Sequence, residues 1–187
     1  SVGAGGVELD RTDFTHNTHP IVVSRIHADS LAAQRWERWE FLVNSPRGGE
    51  WTTSPKSAGA LKELFTSWSG QESGFQYHEG LQLWLALSLN HMHRHNVYLH
   101  YAPRLEGPWD NVTLAEMQTP FDDIKNWLCY APKWHVEFQR TSQELIFTVI
   151  CTEIPWEWAN NPSVYVPLFM NVSLDGGILQ KMKNTPS

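Results

Sequence analysis

The feature that most constrains the fold is a strict alternation of leucines between residues 81 and 90. Every second residue there is leucine, and the intervening positions carry Gln, Trp, Ala, Ser and Asn. In an α-helix this spacing would distribute the leucines around the whole surface, whereas in a β-strand it places them on one face. The segment therefore predicts a half-buried strand.

The same two-residue period recurs along the chain and predicts a mainly β protein. A strand over 97–103 is separated from the leucine strand by the polar residues 91–96, which predicts a hairpin-like turn. Pro167 interrupts the last alternating segment, so that strand is expected at a sheet edge or at a bulge. Further strands are predicted over 38–44, 134–140, 144–152 and 164–174.

Helical signal is limited to two short segments. Ser57 is a suitable N-cap for a helix through Trp68, with apolar residues spaced by three and four, and a second helical turn is predicted over 120–127. The chain length suits one domain. We predict an extended N-terminal arm with a first strand, a β-domain and a short C-terminal tail, over 1–34, 35–180 and 181–187.

Charge and cysteine content exclude several classes of protein. The formal net charge is −6 and no run of Lys or Arg is present, which argues against a tight nucleic-acid binder. No apolar stretch approaches the ~18 residues of a membrane-spanning helix, so no membrane partner is predicted. Cys129 and Cys151 are too few for a disulfide framework and are interpreted as small buried residues. They are also too close for the Cys…Trp…Cys pattern of an immunoglobulin domain, which leaves jelly-roll and lectin-type sandwiches open.

The histidines around the predicted hairpin are the candidate metal ligands of the sequence. Alternate histidines on a strand share one face, and neutral imidazole binds zinc, copper or iron. The spacing resembles that of cupin-like metal enzymes, but Val97 and Tyr98 stand where a cupin has a glutamate. We therefore predict a polar turn, no metal and no cofactor. The histidines concerned are His91, His93, His95 and His100.

Motifs of the common enzyme classes are absent from the sequence. There is no Gly-x-Ser-x-Gly, no P-loop, no Gly-x-Gly-x-x-Gly and no His-Glu-x-x-His, so the prediction is a protein that is not an enzyme. Trp156 and Trp158 lie beside Glu153 and Glu157 in a loop, and such tryptophans can stack on sugars. A secreted carbohydrate-binding β-sandwich module or a glycosidase is therefore the alternative.

The order of three segments resembles that of a known family. The leucine strand, the polar turn and a strand ending in Tyr101-Ala102-Pro103 are similar to the third and fourth strands of the jelly-roll capsid domains of picorna-like viruses. Residues 164–177 resemble the last strand of plant secovirid coat proteins, and the size is similar to the small coat proteins of cheraviruses. The resemblance covers about residues 35–180, and insect viruses of the dicistro-like and ifla-like groups remain open.

The resemblance implies a single antiparallel β-sandwich of viral jelly-roll type, with one or two short helices in its loops, that acts as a structural coat-protein subunit. Its partners would be sister coat subunits in an icosahedral shell and, through diffuse contacts, single-stranded genomic RNA. Its location would be the virion, and the host cytoplasm during assembly. A start at Ser1 rather than Met is expected for a subunit cut from a polyprotein. Because Arg and Trp are favoured at interfaces, the expected contact residues are Arg35, Arg38, Arg94, Arg104, Trp156 and Trp158.

Overall fold

The computed structural model describes residues 19–46, 48–56, 60–67, 74–90, 96–117, 127–153 and 165–183. These ranges contain antiparallel strands, helices α1 (Ala28–Ala32) and α2 (Gly176–Lys183), and 3-10 turns at Trp36–Arg38 and Val136–Phe138. The predicted all-β class with short helices is confirmed. The strands are β1 (His19–Ile21), β2 (Ser24–Arg25), β3 (Glu40–Val43), β4 (Glu50–Thr52), β5 (Phe65–Ser67), β6 (Phe75–His78), β7 (Leu83–Asn90), β8 (Asn96–Ala102), β9 (Asp110–Glu116), β10 (Trp127–Trp134), β11 (Glu144–Glu153) and β12 (Tyr165–Ser173).

The largest sheet joins four consecutive strands in the order β6-β7-β8-β9. The leucine strand is β7, and it pairs with β8 as far as Asn90 and Asn96, which confirms the predicted hairpin. Ala86 and Ser88 are buried as well, so β7 is covered on both faces and not on one. The second face is covered because β5 packs on it. The leucines that face the core are Leu85, Leu87 and Leu89.

A second sheet has the order β10-β11-β12. Among the described residues its last strand, which contains Pro167, pairs only with β11, in agreement with the predicted edge position of this proline. The pairing of β10 with β11 shifts between Tyr130 and Lys133, and Ala131 has a φ of 53° there. This β-bulge accommodates Pro132, which could not donate to a regular ladder.

Cys129 and Cys151 lie opposite each other on β10 and β11 and form a disulfide. Their Cα atoms are 4.1 Å apart, and both residues are fully buried. Burial agrees with the interpretation made from the sequence, but the bond was not predicted. Sequence spacing alone does not show that two cysteines face each other across adjacent strands, since the register decides that.

The two sheets pack face to face around one apolar core. The core receives Leu99 and Tyr101 from β8 and Phe147 from β11, all fully buried. The indole Nε1 of Trp134 donates a hydrogen bond of 3.0 Å to the main-chain oxygen of Gly74, which ties the end of β10 to the start of β6. This packing places the segment that follows β10 beside β6, where the candidate site lies.

The helix predicted to end at residue 68 is wrong over 60–67. Ala60 is in a 3-10 turn, Leu61 forms a single β-bridge with Val43, and 65–67 form β5, which pairs with β1. The amide of Lys62 donates to the carbonyl of Leu42, and that of Leu64 donates to the carbonyl of Ile21, each at 2.8 Å. Neighbouring strands thus use the amides that a helix would need, and this tertiary pairing outweighs the local apolar spacing.

The strand predicted over 134–140 is wrong beyond its first residue. β10 ends at Trp134, and the amide of Phe138 donates to the carbonyl of His135 in a 3-10 turn. The chain has to reverse there before β11 begins at Glu144, so it cannot continue extended. The helical turn predicted over 120–127 lies outside the described residues, apart from Trp127 at the start of β10.

The jelly-roll connectivity is not confirmed. In the three larger sheets the hydrogen-bonded neighbours are consecutive strands, whereas a jelly roll is built from Greek-key connections. At the C-terminus, α2 crosses the predicted boundary at 180, and Met182 is buried against the core. None of the helices in the described ranges has the length and apolar character that a membrane span requires.

Candidate functional site

His100 is the member of the predicted histidine cluster that the structure describes, and it is buried. Its Nε2 lies 2.7 Å from the hydroxyl oxygen of Ser88, and its ring stacks on Phe65 with centroids 3.9 Å apart. Burial lowers the pKa of His100 to about 4, so the ring is neutral at pH 7. Among the described residues, no group of three or more His, Cys, Asp or Glu is placed to hold a metal ion. Outside these residues lie His91, His93 and His95.

The predicted interface arginines that can be located are exposed. Arg35 follows α1, and Arg38 lies in the first 3-10 turn. Arg104 places its Nε 3.7 Å from Oε2 of Glu106, so its charge has a partner within the chain. Whether these arginines contact other subunits stays a prediction. The remaining candidates, which fall outside the described residues, are Arg94, Trp156 and Trp158.

A polar cluster that the sequence did not indicate joins the β2-β3-β4 sheet to the turn between β8 and β9. Trp51 donates its indole hydrogen to Oε1 of Glu106 at 3.0 Å, and the guanidinium carbon of Arg25 lies 4.0 Å from the centroid of the Trp51 ring. Lys62 donates to the main-chain oxygen of Glu106 at 2.7 Å. Burial opposes ionisation of Glu106, but the Trp51 hydrogen bond, with backbone bonding and the charges of Arg104 and Arg25, lowers its pKa. The charged and hydrogen-bonding groups of the cluster are partners of one another, so we interpret the cluster as a contact that stabilises the fold.

An exposed row of aromatic rings lies where the second 3-10 turn meets β12. The ring centroid of His135 is 5.7 Å from that of Phe138 and 5.5 Å from that of Phe169, with interplanar angles of 26° and 30°. Phe138 is 54% exposed and Phe169 is 66% exposed. We name Phe138, His135 and Phe169 the ring platform, because the two phenylalanine rings are exposed and both contact the histidine ring, whose side chain is 13% exposed.

Two hydrogen bonds hold the central ring of this platform. Nδ1 of His135 lies 2.9 Å from Oε1 of Glu137, and Nε2 lies 3.0 Å from Oγ1 of Thr148. The hydrogen bond from His135 lowers the pKa of the Glu137 carboxyl. Carboxylate, imidazole and hydroxyl follow in the order of an acyl-transfer triad. Thr148, however, lies in the central strand of its sheet and pairs with Lys133 on one side and Phe169 on the other, so within the described residues the strand amides around it belong to ladders rather than to an oxyanion hole.

An open cleft adjoins the same 3-10 turn. Its volume is about 470 Å³, and it lies between β6 with its following turn and the segment that leads into β11. The sequence did not indicate this cleft, because its two walls are more than fifty residues apart. Its lining residues are Gln76, Tyr77, His78, Glu79, Gly80, Val136, Gln139, Arg140, Thr141 and Ser142.

Comparison with known proteins shows the fold but no family. No protein-family model matches the sequence, and no curated protein matches it at a significant level. Among solved structures, the chain is similar to the crystal structure of a putative hydrolase from Bacteroides ovatus, with a TM-score of 0.65 and 19% sequence identity. The match covers 92% of this chain and 43% of that protein, so the chain spans less than half of its length.

Proposed function

We propose that the protein binds carbohydrate through the ring platform. The observation that carries this proposal is the set of three rings with similar orientation, two of them more than half exposed, on the surface of an antiparallel sheet. One face of a pyranose ring carries mainly C–H bonds and packs well against the electron-rich face of an aromatic ring. Two exposed rings held against one histidine therefore suit the sugar units of a saccharide.

The polar groups around the platform suit the same ligand. Glu137 is exposed and lies beside His135, so its carboxylate can accept hydrogen bonds from sugar hydroxyls while it orients the imidazole. Glu137 and Thr148 hold the ring of His135 in place, and His135 in turn contacts Phe138 and Phe169, so little side-chain entropy is lost when a ligand stacks on these two exposed rings. The platform thus combines apolar faces with a small number of oriented polar groups, as saccharide sites require.

The disulfide supports a function in an oxidising environment. Disulfides persist in secreted proteins and are rare in reducing compartments. A buried bond between Cys129 and Cys151 therefore agrees better with a secreted carbohydrate-binding protein than with a subunit assembled in cytoplasm. The proposal concerns binding, and the sequence-based prediction that the chain is not an enzyme stays a prediction.

Calorimetric titration with a panel of soluble hexasaccharides tests the platform. We expect at least one of them to bind, and Phe169→Ala and Phe138→Ala each to weaken binding by about tenfold through loss of a stacking surface. The matched control is Trp36→Ala, which removes a ring that is 56% exposed outside the platform. Binding that falls with Trp36→Ala and is unchanged with Phe169→Ala would contradict the proposal.

A second candidate is the coat-protein subunit implied by the resemblance, with sister subunits and single-stranded RNA as partners. The observation that favours it is the number of large apolar side chains exposed on the isolated chain, which a shell would bury. Sedimentation of native material, with its absorbance ratio at 260 and 280 nm, separates the candidates, since isometric particles rich in nucleic acid require the coat protein. The exposed side chains include Val22, Leu31, Trp36, Val136, Phe138 and Phe169.

A further inference from the structure

The sequence contains two Asn-x-Ser/Thr triplets, over 111–113 and 171–173, with valine and not proline at the middle position. Such a triplet is the acceptor motif of N-linked glycosylation. The triplets lie in β9 and β12, where a spacing of two residues places the asparagine and the hydroxyl residue on one face of the strand. A glycan suits an asparagine that is exposed and whose side-chain amide the fold does not use. The two triplets differ in this second condition.

Asn111 meets both conditions. Asn111 and Thr113 are exposed, while Leu114, on the opposite face of β9, is buried in the core. The hydrogen bonds found for Asn111 outside the ladder, within the described residues, use its main chain. Its amide donates to Oδ1 of Asp110 and its carbonyl oxygen accepts from Nζ of Lys181, each at 2.7 Å. The side-chain amide of Asn111 takes no part in these contacts, so a sugar attached to it leaves them in place.

The position of β9 leaves room for a bulky group. Among the described residues β9 pairs only with β8, so it lies at the edge of its sheet. The amide and carbonyl of Asn111 are bound by the side chains of Asp110 and Lys181, so neither is left for a further strand. A glycan attached to Asn111 would therefore extend into solvent from a closed part of the sheet edge.

Asn171 fails the second condition. Its Nδ2 donates a hydrogen bond of 2.7 Å to Oε1 of Glu144, whose carboxylate also accepts from the Arg140 guanidinium. Glu144 is only 7% exposed, and a buried carboxylate that loses a donor destabilises the fold. A sugar on this nitrogen would place a bulky group directly against that carboxylate. The structure thus distinguishes two triplets that are equivalent as sequence motifs.

We propose that Asn111 is a site of N-linked glycosylation and that Asn171 is not. The donor is an oligosaccharide linked to a polyprenyl diphosphate, and a membrane-bound oligosaccharyl transferase catalyses the transfer. Nδ2 of Asn111 forms a bond to the anomeric carbon C1, the bond from C1 to the diphosphate oxygen breaks, the lipid diphosphate leaves, and a base takes the amide proton. This transfer occurs in the compartment in which disulfides form, in agreement with the Cys129–Cys151 bond. The inference shares that secretory location with the proposed function and does not depend on the ring platform.

Peptide mapping by mass spectrometry, on protein purified from its natural source, tests the inference. We expect the peptide that contains Asn111 to carry a glycan, which peptide N-glycosidase removes with conversion of the asparagine to aspartate. We expect the peptide that contains Asn171 to have its unmodified mass before and after this treatment. A bare Asn111, or a glycan on Asn171, would overturn the inference.

Secretion of variants from cultured eukaryotic cells shows which triplet is used. Asn111→Gln and Thr113→Val should each lose the glycan and migrate in gel electrophoresis like the enzyme-treated wild type. The matched control Thr113→Ser keeps the motif and should keep the glycan. Ser173→Ala removes the second motif without touching the amide of Asn171, and it should leave the glycan unchanged. A glycan that persists in both Asn111→Gln and Thr113→Val would contradict the assignment.

Two outcomes distinguish this inference from the carbohydrate-binding proposal. A protein that is unmodified at Asn111 and binds a hexasaccharide would overturn the glycosylation alone. A protein that is glycosylated at Asn111 and, after enzymatic removal of the glycan, binds none of the hexasaccharides would overturn the platform proposal alone. A glycan at Asn111 would also argue against a coat subunit assembled in the cytoplasm, since the transfer takes place in the secretory compartment.

Discussion

Nε2 of His100 lies 2.7 Å from Oγ of Ser88, and the His100 ring is stacked on Phe65. Ser88 and His100 belong to the paired strands β7 and β8, and Phe65 comes from β5. The three side chains cover the face of β7 that is opposite the leucines. A residue that the sequence indicated as a candidate metal ligand is therefore a buried, neutral part of the packing.

His100 should make stability depend on pH below neutrality. Its pKa is about 4 in the folded chain, against 6.5 for an ordinary histidine, so the unfolded chain binds the proton more tightly. The corresponding stability is fully present above pH 6.5 and is lost as the pH falls to 4, by about 3 kcal/mol. Urea unfolding across this range should show the slope, and His100→Phe should remove this part of it. The exposed His27→Gln serves as control; a profile unchanged in His100→Phe would refute the assignment.

Glu144 should dominate the response to stronger acid. Its buried carboxylate accepts from the Arg140 guanidinium at 3.0 Å, from the Arg140 amide at 2.9 Å and from the Asn171 amide at 2.7 Å, which lowers its pKa to about 2. This stability is present above the ordinary glutamate pKa of 4.5 and is lost as the pH falls to 2. Thermal unfolding of Glu144→Gln should not show this loss of stability between pH 4.5 and 2. The control variant Glu50→Gln, which removes an exposed carboxyl, should still show it.

The disulfide should contribute measurably to stability. Cys129 and Cys151 are 22 residues apart. A cross-link that closes a loop of that length lowers the conformational entropy of the unfolded chain, which raises the free energy of the unfolded state by about 3 kcal/mol. The double variant Cys129→Ala/Cys151→Ala should be destabilised by that order in urea unfolding. Adding reductant should destabilise the wild type and leave the double variant unaffected. A wild type that is insensitive to a reductant able to open the bond would contradict this prediction.

Gly80 should tolerate no larger side chain unless the side chain of Ser142 is also made smaller. A Cβ atom on Gly80 would lie 2.5 Å from Cβ of Ser142, much closer than two carbon atoms can pack. Gly80→Ala should therefore separate the two walls of the cleft and cost about 1–3 kcal/mol, as overpacking does. Ser142→Gly in the same chain should restore most of the loss in urea unfolding. A double variant as unstable as Gly80→Ala would show that this contact is not the cause.

The strand pattern of the domain was predictable where burial follows a local period. Leu85 and Leu87 face the core as their alternation predicts, and the edge position of Pro167 follows from its missing N–H group. Local pattern failed at 60–67 and after Trp134. In both places contacts distant in sequence decide the conformation, because strand pairing takes the amides of the first segment and a chain reversal is needed in the second.

The candidate site was largely beyond prediction from sequence. His135 and Glu137 are two residues apart, and this spacing is the one local signal of the platform. It was masked by the strand predicted over 134–140. The third ring, Phe169, lies in β12, whereas His135 follows β10, so no local spacing in the sequence relates the two residues. The cleft has the same property, since β6 supplies one wall and the segment after β10 supplies the other.

The sequence by itself determined the β class, the leucine strand with its hairpin and the edge proline, because side-chain alternation and backbone chemistry act over a few residues. Tertiary structure alone decided which residues meet: the Cys129–Cys151 bond, the burial of His100 and the ring platform. Those arrangements depend on strand register and on how two sheets pack. Register and packing are set by the free energy of the whole core, which no short segment encodes.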